Sequence, residues 1–204
     1  ENETTVTLFT EQPESDKEGA TYRGSLVSSG GLSETLSYRL ILNANKTEGD
    51  DADINEDATP EGEGVAAGSE GVKNYDGSIL LEFRPSAEHT YGVELGYSRQ
   101  GNIYAGDALF QSVDRVDEDL IGEETNVLQR STLALTHRGD YGFGRSNSFV
   151  QWEHTDNSRL GEGLSGGRQG LINSDEFQTT LLDNVTAKTE WDLYSSLMGL
   201  NQTF

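Results

Sequence analysis

The sequence predicts an all-β chain whose antiparallel strands form a segment of a transmembrane β-barrel. Apolar and polar residues alternate with a period of two in several stretches, which is the pattern of strands with two different faces. The connections alternate between short turns and long polar segments, as in barrels with short turns on one side and long loops on the other. No stretch shows convincingly the i, i+3, i+4 spacing of an amphipathic helix.

The composition alone does not decide between a soluble chain and a membrane barrel. Only 33% of the 204 residues are hydrophobic, and the chain has 24 glycines and 3 prolines. Such a composition is typical of soluble or disordered chains. A transmembrane strand, however, needs an apolar residue only at every second position, and barrel loops are polar. The local pattern therefore carries the prediction.

Charge and cysteine content exclude several function classes. The net charge is −22, from 36 acidic and 14 basic residues, so we expect no nucleic-acid partner, since phosphate contacts require a basic surface. The chain has no cysteine, which excludes disulfides and thiolate metal sites. No stretch approaches the ~20 consecutive apolar residues of a membrane-spanning helix.

The clearest predicted hairpin surrounds a turn at residues 85–88. After this turn, Tyr91, Val93, Leu95 and Tyr97 alternate with small or charged residues. The first two strands have a weaker pattern than the others. Strands are expected over about residues 4–10, 21–29, 37–44, 79–84, 91–98, 132–137, 150–154 and 185–193.

Long loops are expected at one end of these strands. They cover about residues 47–71, 101–125 and 157–182, whereas short turns are expected near residues 29–32, 85–88, 140–145 and 195–199. A soluble sandwich or lipocalin-like binding protein remains an alternative, because periodicity does not distinguish the inside of a barrel from its outside. Tyr97, Trp152 and Trp191 lie toward strand ends and favour the aromatic girdle of a membrane barrel.

Two segments carry a resemblance to a known family. They are residues 97–107 (YSRQGNIYAGD) and residues 150–159 (VQWEHTDNSR), the second followed by EGLSGG at residues 162–167. With these segments, and with shorter matches in the same order elsewhere, the chain resembles TonB-dependent siderophore receptors, in particular the ferric enterobactin (catecholate) receptors. The shorter matches lie at residues 17–21, 53–55 and 124–126.

The resemblance implies the place of this chain in a larger fold. Residues 1–204 would form the N-terminal part of the barrel domain, about the first eight to nine strands of a ~22-stranded barrel, without the plug domain. The full receptor would be monomeric and multi-pass in the bacterial outer membrane. A complete eight-stranded barrel is the alternative, but residues 200–204 are too few for a closing strand, which needs about 9–11 residues.

The resemblance also implies a function. The receptor would take up a ferric siderophore of the catecholate, enterobactin-like class, with energy supplied through the TonB protein by way of the plug. Outer-membrane lipid and lipopolysaccharide would surround it, and iron would enter only as part of the transported siderophore, without a resident cofactor. A passive outer-membrane barrel, such as a porin or an adhesin, is the alternative.

Arg130, Arg159 and Tyr104 are the candidate ligand-binding residues. By resemblance, Arg130 and Arg159 match two arginines that the family uses to bind the siderophore, and Tyr104 matches an aromatic loop residue of the outer binding site. A ferric catecholate is bulky, aromatic and anionic, so guanidinium groups and planar aromatic faces suit it.

Strand parity supports the position of the two arginines. If Leu133 and Leu135 face lipid, Arg130 faces the lumen, and Arg159 shares its parity with Glu153. The alternative is that both arginines pair with carboxylates of the barrel interior.

Two acidic segments bear on what the loops are expected to bind. Residues 113–121 (VDRVDEDLI) depart from the family pattern, because Val116 and Ile121 replace aromatic residues and Glu118 replaces a basic one. The acidic segment at residues 50–57 has Glu56 where a tight calcium-binding loop requires glycine. We therefore expect a solvated loop, or divalent ions that bridge to lipopolysaccharide, and assign no metal site.

No catalytic site is expected. A hydrolase would need a nucleophile beside a histidine, whereas His89 lies next to a turn and His137 and His154 lie on the apolar face of their strands. The string GLSGG at residues 163–167 lies in a predicted loop, so no GxSxG elbow between a strand and a helix is expected.

Overall fold

The structure, a computed structural model, describes residues 2–51, 54, 69–105, 122–162, 172–197 and 200–202. Among these residues, no helix is long and apolar enough to cross a membrane. The described secondary structure consists of strands alone. They are β1 (Glu3–Glu11), β2 (Thr21–Gly31), β3 (Leu36–Thr47), β4 (Gly71–Phe83), β5 (His89–Ile103), β6 (Glu124–Tyr141), β7 (Gly144–Glu162), β8 (Ile172–Leu193), β9 (Ser195–Leu197) and β10 (Leu200–Gln202).

Strands β1 to β8 form one open antiparallel sheet in which each strand pairs with its neighbours in sequence. Strands β9 and β10 form a separate two-stranded hairpin. The all-β, antiparallel architecture predicted from the alternation is therefore confirmed. In the described sheet, β1 and β8 are the edge strands.

The register divides the sheet into an apolar face and a polar face. Leu95 pairs with Ile79 on one side and with Leu133 on the other, and the same row continues across β7 and β8. The side chains of this row stay open to the surroundings, with Leu95 51% exposed. The apolar face comprises Val6, Leu8, Leu26, Leu40, Leu42, Ile79, Leu81, Tyr91, Val93, Leu95, Tyr97, Leu133, Leu135, Val150, Trp152, Val185 and Ala187.

An apolar surface of this extent, without a partner in the described chain, is not stable against water. The polar face lies on the other side of the same strands and includes Glu94, Ala134, Arg130, Thr132 and Glu153.

Burial among the described residues is concentrated at the long-loop end of the sheet. The buried apolar residues are Ala20, Ile103, Tyr104, Ala105 and Leu160.

Aromatic rings gather at the short-turn end of the apolar face. Tyr141 stacks against Phe143 at 5.4 Å and against Trp191 at 5.5 Å between ring centroids. Tyr91 stacks on His137 at 4.7 Å. Rings at the edge of an apolar band are typical of the aromatic girdles of membrane barrels.

The long loop expected over about residues 157–182 is shorter in the structure. Strand β7 continues to Glu162, and β8 begins at Ile172. Polar residues pair with each other in this extension, as in the 2.9 Å hydrogen bond between the hydroxyls of Ser158 and Thr179. Because polar residues stand on both faces here, the period-two signal that marks a strand is lost, and the sequence reads as a loop.

Candidate ligand-binding site

Arg130 lies on the polar face of β6, between Ser98 of β5 and Thr155 of β7. Its side chain is 49% exposed, and its Nε atom lies 3.9 Å from Oε2 of Glu153. A charge-assisted hydrogen bond between these groups would be about 2.7–2.9 Å long. The guanidinium therefore lies near a carboxylate without being fully engaged by it.

Arg159 lies on the same face of β7, opposite Asn126 of β6. It is exposed, as Arg130 is. Thr155, which pairs with Arg130, precedes Arg159 by four residues, and four strand residues span about 13 Å. The structure thus places both predicted arginines on one face and on neighbouring strands, but at different levels of that face.

Tyr104 lies at the base of the loop that follows β5. Its side chain is 3% exposed and packs with Leu160 of β7 in a small apolar cluster. Its main-chain N–H donates to the carbonyl of Glu123 at 2.9 Å, and its carbonyl accepts the N–H of Gly122 at 2.8 Å. As placed, the ring supports the loop base and does not offer an aromatic face to solvent.

A second arginine–glutamate pair at the long-loop end was not foreseen from the sequence. Arg99 of β5 donates from both terminal nitrogens to the two carboxylate oxygens of Glu124, at 2.7 and 2.8 Å. The two side chains are only 21% and 23% exposed. They cover Gly101, where a Cβ atom would collide with the Glu124 carboxylate.

This bidentate pair changes the proton affinity of both partners. The hydrogen bonds from Arg99 hold the pKa of the Glu124 carboxyl below its ordinary value, and the hydrogen bonds to Glu124 raise the pKa of Arg99. Both residues lie beyond Tyr97, outside the apolar band, at the point where β5 and β6 leave for the long loop. The pair therefore clamps the base of that loop.

Arg99 and Glu124 both stand in segments that carry the family resemblance, but their contact depends on an irregular register. The pairing of β5 with β6 shifts between Asn102 and Ile103, so that Ile103 meets Glu124. Such a bulge is not visible in the alternation of residue types. The sequence therefore singles out the segments of Arg99 and Glu124, but it does not predict that the two side chains meet.

Asp50 joins two other segments at the long-loop end. Its carboxylate accepts the main-chain N–H of Gly19 at 2.9 Å and that of Ser69 at 2.7 Å. In the acidic segment for which we considered calcium, this residue thus holds the loop ends together. Residues 52, 53 and 55–57 of that segment lie outside the described part of the chain, as do residues 106–121 with the acidic departure.

His154 lies on the apolar face of β7, as predicted, and contacts a carboxylate that the sequence pattern did not reveal. Its Nδ1 lies 2.9 Å from Oδ1 of Asp183, and Ser131 stands opposite it on β6. Within the described chain no hydrogen bond joins Ser131 to His154. Ser131 and His154 stand on the central strands β6 and β7, whose main-chain N–H groups bond to neighbouring strands.

An open groove of about 740 Å³ lies at the short-turn end of the polar face. Its lining mixes basic and acidic side chains with small polar ones, so it suits a polar protein surface better than an apolar ligand. Its charged lining residues are Glu88, Arg138, Asp140, Arg145, Glu190 and Asp192.

Comparison with known proteins gives relatives of one kind. The chain is 40% identical to the ferric enterobactin receptor of Pseudomonas aeruginosa over 205 residues, which cover 97% of this chain and 27% of that protein. It is 39% identical to the ferrienterobactin receptor of Escherichia coli over 202 residues, which cover 94% of this chain and 27% of that protein. No family model matches the chain.

Solved structures agree with these relatives. The crystal structure of the siderophore receptor PirA from Acinetobacter baumannii aligns with a TM-score of 0.82 at 38% identity, over 97% of this chain and 28% of that one. A mutant of the ferric enterobactin receptor from Pseudomonas aeruginosa in complex with enterobactin aligns with a TM-score of 0.78 at 40% identity, over 97% and 29%. The chain thus spans little more than a quarter of the length of each relative.

Proposed function

We propose that the protein carrying this chain imports a ferric siderophore of the catecholate class, because the chain is homologous over nearly its whole length to part of the ferric enterobactin receptors. The observation that carries the proposal is identity of about 40% across a sheet whose polar face bears the exposed Arg130 and Arg159 among its arginines. Transport would be a property of the whole receptor, since this chain spans 27% of its relatives.

The two arginines suit an anionic, aromatic ligand. A guanidinium group keeps its charge at any physiological pH, and it can pair with catecholate oxygens or stack on catechol rings. Arg130 is half exposed and only loosely held by Glu153, which supports its availability to a ligand. We assign direct ligand contact to Arg130 and Arg159. Tyr104 is only 3% exposed, so we assign it little direct contact with the ligand.

The apolar face supports a position in the outer membrane. Its exposed leucines and valines would face lipid, and its aromatic edge would lie at the membrane boundary. The basic residues that the described strands place on this face are Lys46, Lys73 and Arg99, on three neighbouring strands beyond the apolar band. Lys46 stands directly opposite Lys73 and pairs with the Glu48 carboxylate at 3.1 Å, so lipopolysaccharide phosphates would add to a charge balance that carboxylates already supply in part.

Energy coupling through TonB is proposed on homology alone, as is the monomeric state of the full receptor. A plug domain inside the barrel would meet the polar face, and the mixed charges of the groove at its short-turn end suit such a contact. Dissipation of the proton-motive force should abolish ferric siderophore uptake. Uptake that continues without it would favour the alternative, a passive barrel.

The site is tested in the full-length receptor with the double substitution Arg130→Ala and Arg159→Ala. Each lost charge-assisted contact should cost about 1.5–3 kcal/mol, so affinity for ferric enterobactin should fall by roughly a hundredfold or more. Arg84→Ala is the matched control, because Arg84 is a 60% exposed arginine at the opposite end of the sheet. Binding is measured by titration calorimetry, and barrel assembly by heat-dependent mobility in gels.

Unchanged affinity in the double variant, with normal assembly, would contradict the site. A comparable loss in Arg84→Ala would show a general charge effect in place of a site.

A further inference from the structure

His89 and His137 form a close pair at the short-turn end of the apolar face. Nδ1 of His89 lies 3.2 Å from Nε2 of His137. We propose that these two imidazoles form a binding site for a divalent transition-metal ion such as Cu²⁺, Ni²⁺ or Zn²⁺. This proposal does not depend on the transport function.

The distance between the two nitrogens fits a shared metal ion. Two imidazole nitrogens at about 2.0–2.1 Å from a tetrahedral Zn²⁺ lie roughly 3.3 Å apart. The observed 3.2 Å therefore matches the nitrogen separation at a shared metal ion, although the ion would lie beside the line between the nitrogens and both rings would tilt toward it. Each histidine would stay neutral, with its proton on the nitrogen that faces away from the metal.

Neighbouring aromatic rings hold both imidazoles in place. Tyr91 stacks on His137 with ring centroids 4.7 Å apart, and Tyr141 meets His89 edge-on at 5.4 Å. The end of the two strands is closed by a 2.8 Å main-chain hydrogen bond from Asp140 to Glu88. Because the side chains are already ordered, metal binding would lose little conformational entropy.

The local charge and exposure also suit a cation. Both histidines are only partly buried, so solvent reaches the pair. Glu88 precedes His89 in the chain and adds a negative charge near the pair, although its side chain lines the groove on the polar face. No third His, Asp or Glu joins the pair in the described part of the chain, so water molecules would complete the coordination.

Bound metal would link β5 to β6 at the membrane edge. Since both ligands meet only in the folded sheet, the ion would bind the folded state alone and stabilise it. Imidazole ligands favour Cu²⁺ most strongly, then Ni²⁺ and Zn²⁺. The site would thus respond to transition-metal concentration on the side of the membrane where the short turns lie.

The test uses the full-length receptor in detergent, titrated with Cu²⁺ or Zn²⁺ by calorimetry, with electron paramagnetic resonance of the Cu²⁺ sample to count nitrogen ligands. His137→Ala and His89→Gln should each weaken one binding event by at least about tenfold, and the Cu²⁺ spectrum should lose one nitrogen. His154→Ala is the matched control, since His154 lies on the same face but pairs with Asp183.

Metal binding that is equally strong in His137→Ala and His89→Gln would overturn the proposal and leave the pair as a plain hydrogen bond. An equal loss in His154→Ala would also overturn it, by showing unspecific binding to histidines. If His137→Ala fails to assemble, His89→Gln, which keeps a polar side chain at the strand end, decides the question.

Discussion

The apolar face and the polar face each carry an arginine–glutamate pair near the long-loop end, and the two pairs differ in geometry. Arg99 and Glu124, beyond the apolar band, make two hydrogen bonds of 2.7 and 2.8 Å and are mostly shielded from solvent. Arg130 and Glu153, on the polar face, make one contact of 3.9 Å, with the arginine half exposed. The first pair holds the strands together. In the second pair the Arg130 guanidinium stays available to a ligand.

The largest test of the difference between the faces compares adjacent residues of β6. Leu135 points to the apolar face and is 50% exposed, and Ala134 points to the polar face opposite Glu94. Leu135→Lys should destabilise the receptor in a lipid bilayer by about 2–4 kcal/mol, whereas Ala134→Lys should have a much smaller effect. Urea titration of the receptor refolded into vesicles measures both.

Equal tolerance of lysine at the two positions would mean that the apolar face does not meet lipid.

A second test compares the roles of Arg99 and Arg130 by replacing each with alanine. Arg99→Ala leaves the Glu124 carboxylate partly buried without its partner and should lower the free energy of unfolding by about 1–3 kcal/mol. Arg130→Ala should leave the free energy of unfolding nearly unchanged and weaken binding of ferric enterobactin. Both quantities are measured on both variants. The comparison fails if Arg99→Ala weakens binding while stability stays the same.

A third test concerns Glu153. A carboxylate beside Arg130 lowers the attraction of this site for an anion, and exposed pairs of this kind are worth only ~0.2–1 kcal/mol. Glu153→Gln should therefore raise affinity for ferric enterobactin by a few-fold, up to about fivefold, without loss of assembly. A weaker affinity in this variant would show that Glu153 positions Arg130 for the ligand.

The smallest expected effect is a pH dependence of the clamp on the other face. The pKa of Glu124 in the folded protein lies below its ordinary value of 4.5, because Arg99 donates to its charged form. The stabilisation is therefore complete above that ordinary value and is lost as the pH falls through the lowered pKa. Thermal unfolding between about pH 6 and about pH 3 should show this loss, which Glu124→Gln should remove.

The sequence predicted those parts of the fold in which the two faces differ chemically. The hairpin of β4 and β5 was visible because apolar residues on one face alternate with small or charged residues on the other. The parts of β7 and β8 nearest the long-loop end were predicted as a loop, because Ser158 and Thr179 lie in stretches where both faces are polar. Alternation of residue types marks a strand only where its two faces differ in polarity. Where both faces are polar, the sequence pattern does not reveal the strand.

For the candidate site, parity placed Arg130 and Arg159 on one face correctly, but contacts across strands were beyond its reach. The burial of Tyr104 depends on Leu160, which belongs to a distant strand. The pairing of Arg99 with Glu124 depends on a register shift at Asn102 and Ile103. Such contacts follow from how the strands align, and residue types alone do not determine alignment to within one residue.

The unequal extension of the strands beyond the apolar band has a kinetic consequence. Measured from the row of Leu95, Leu133 and Trp152, β5 runs eight residues to Ile103 and β7 runs ten residues to Glu162. Strand ends at unequal heights would offer an entering ligand contacts at more than one level. In the proposed site, a ligand that enters from the long-loop side would meet Arg159 before Arg130, so its capture would proceed in two steps.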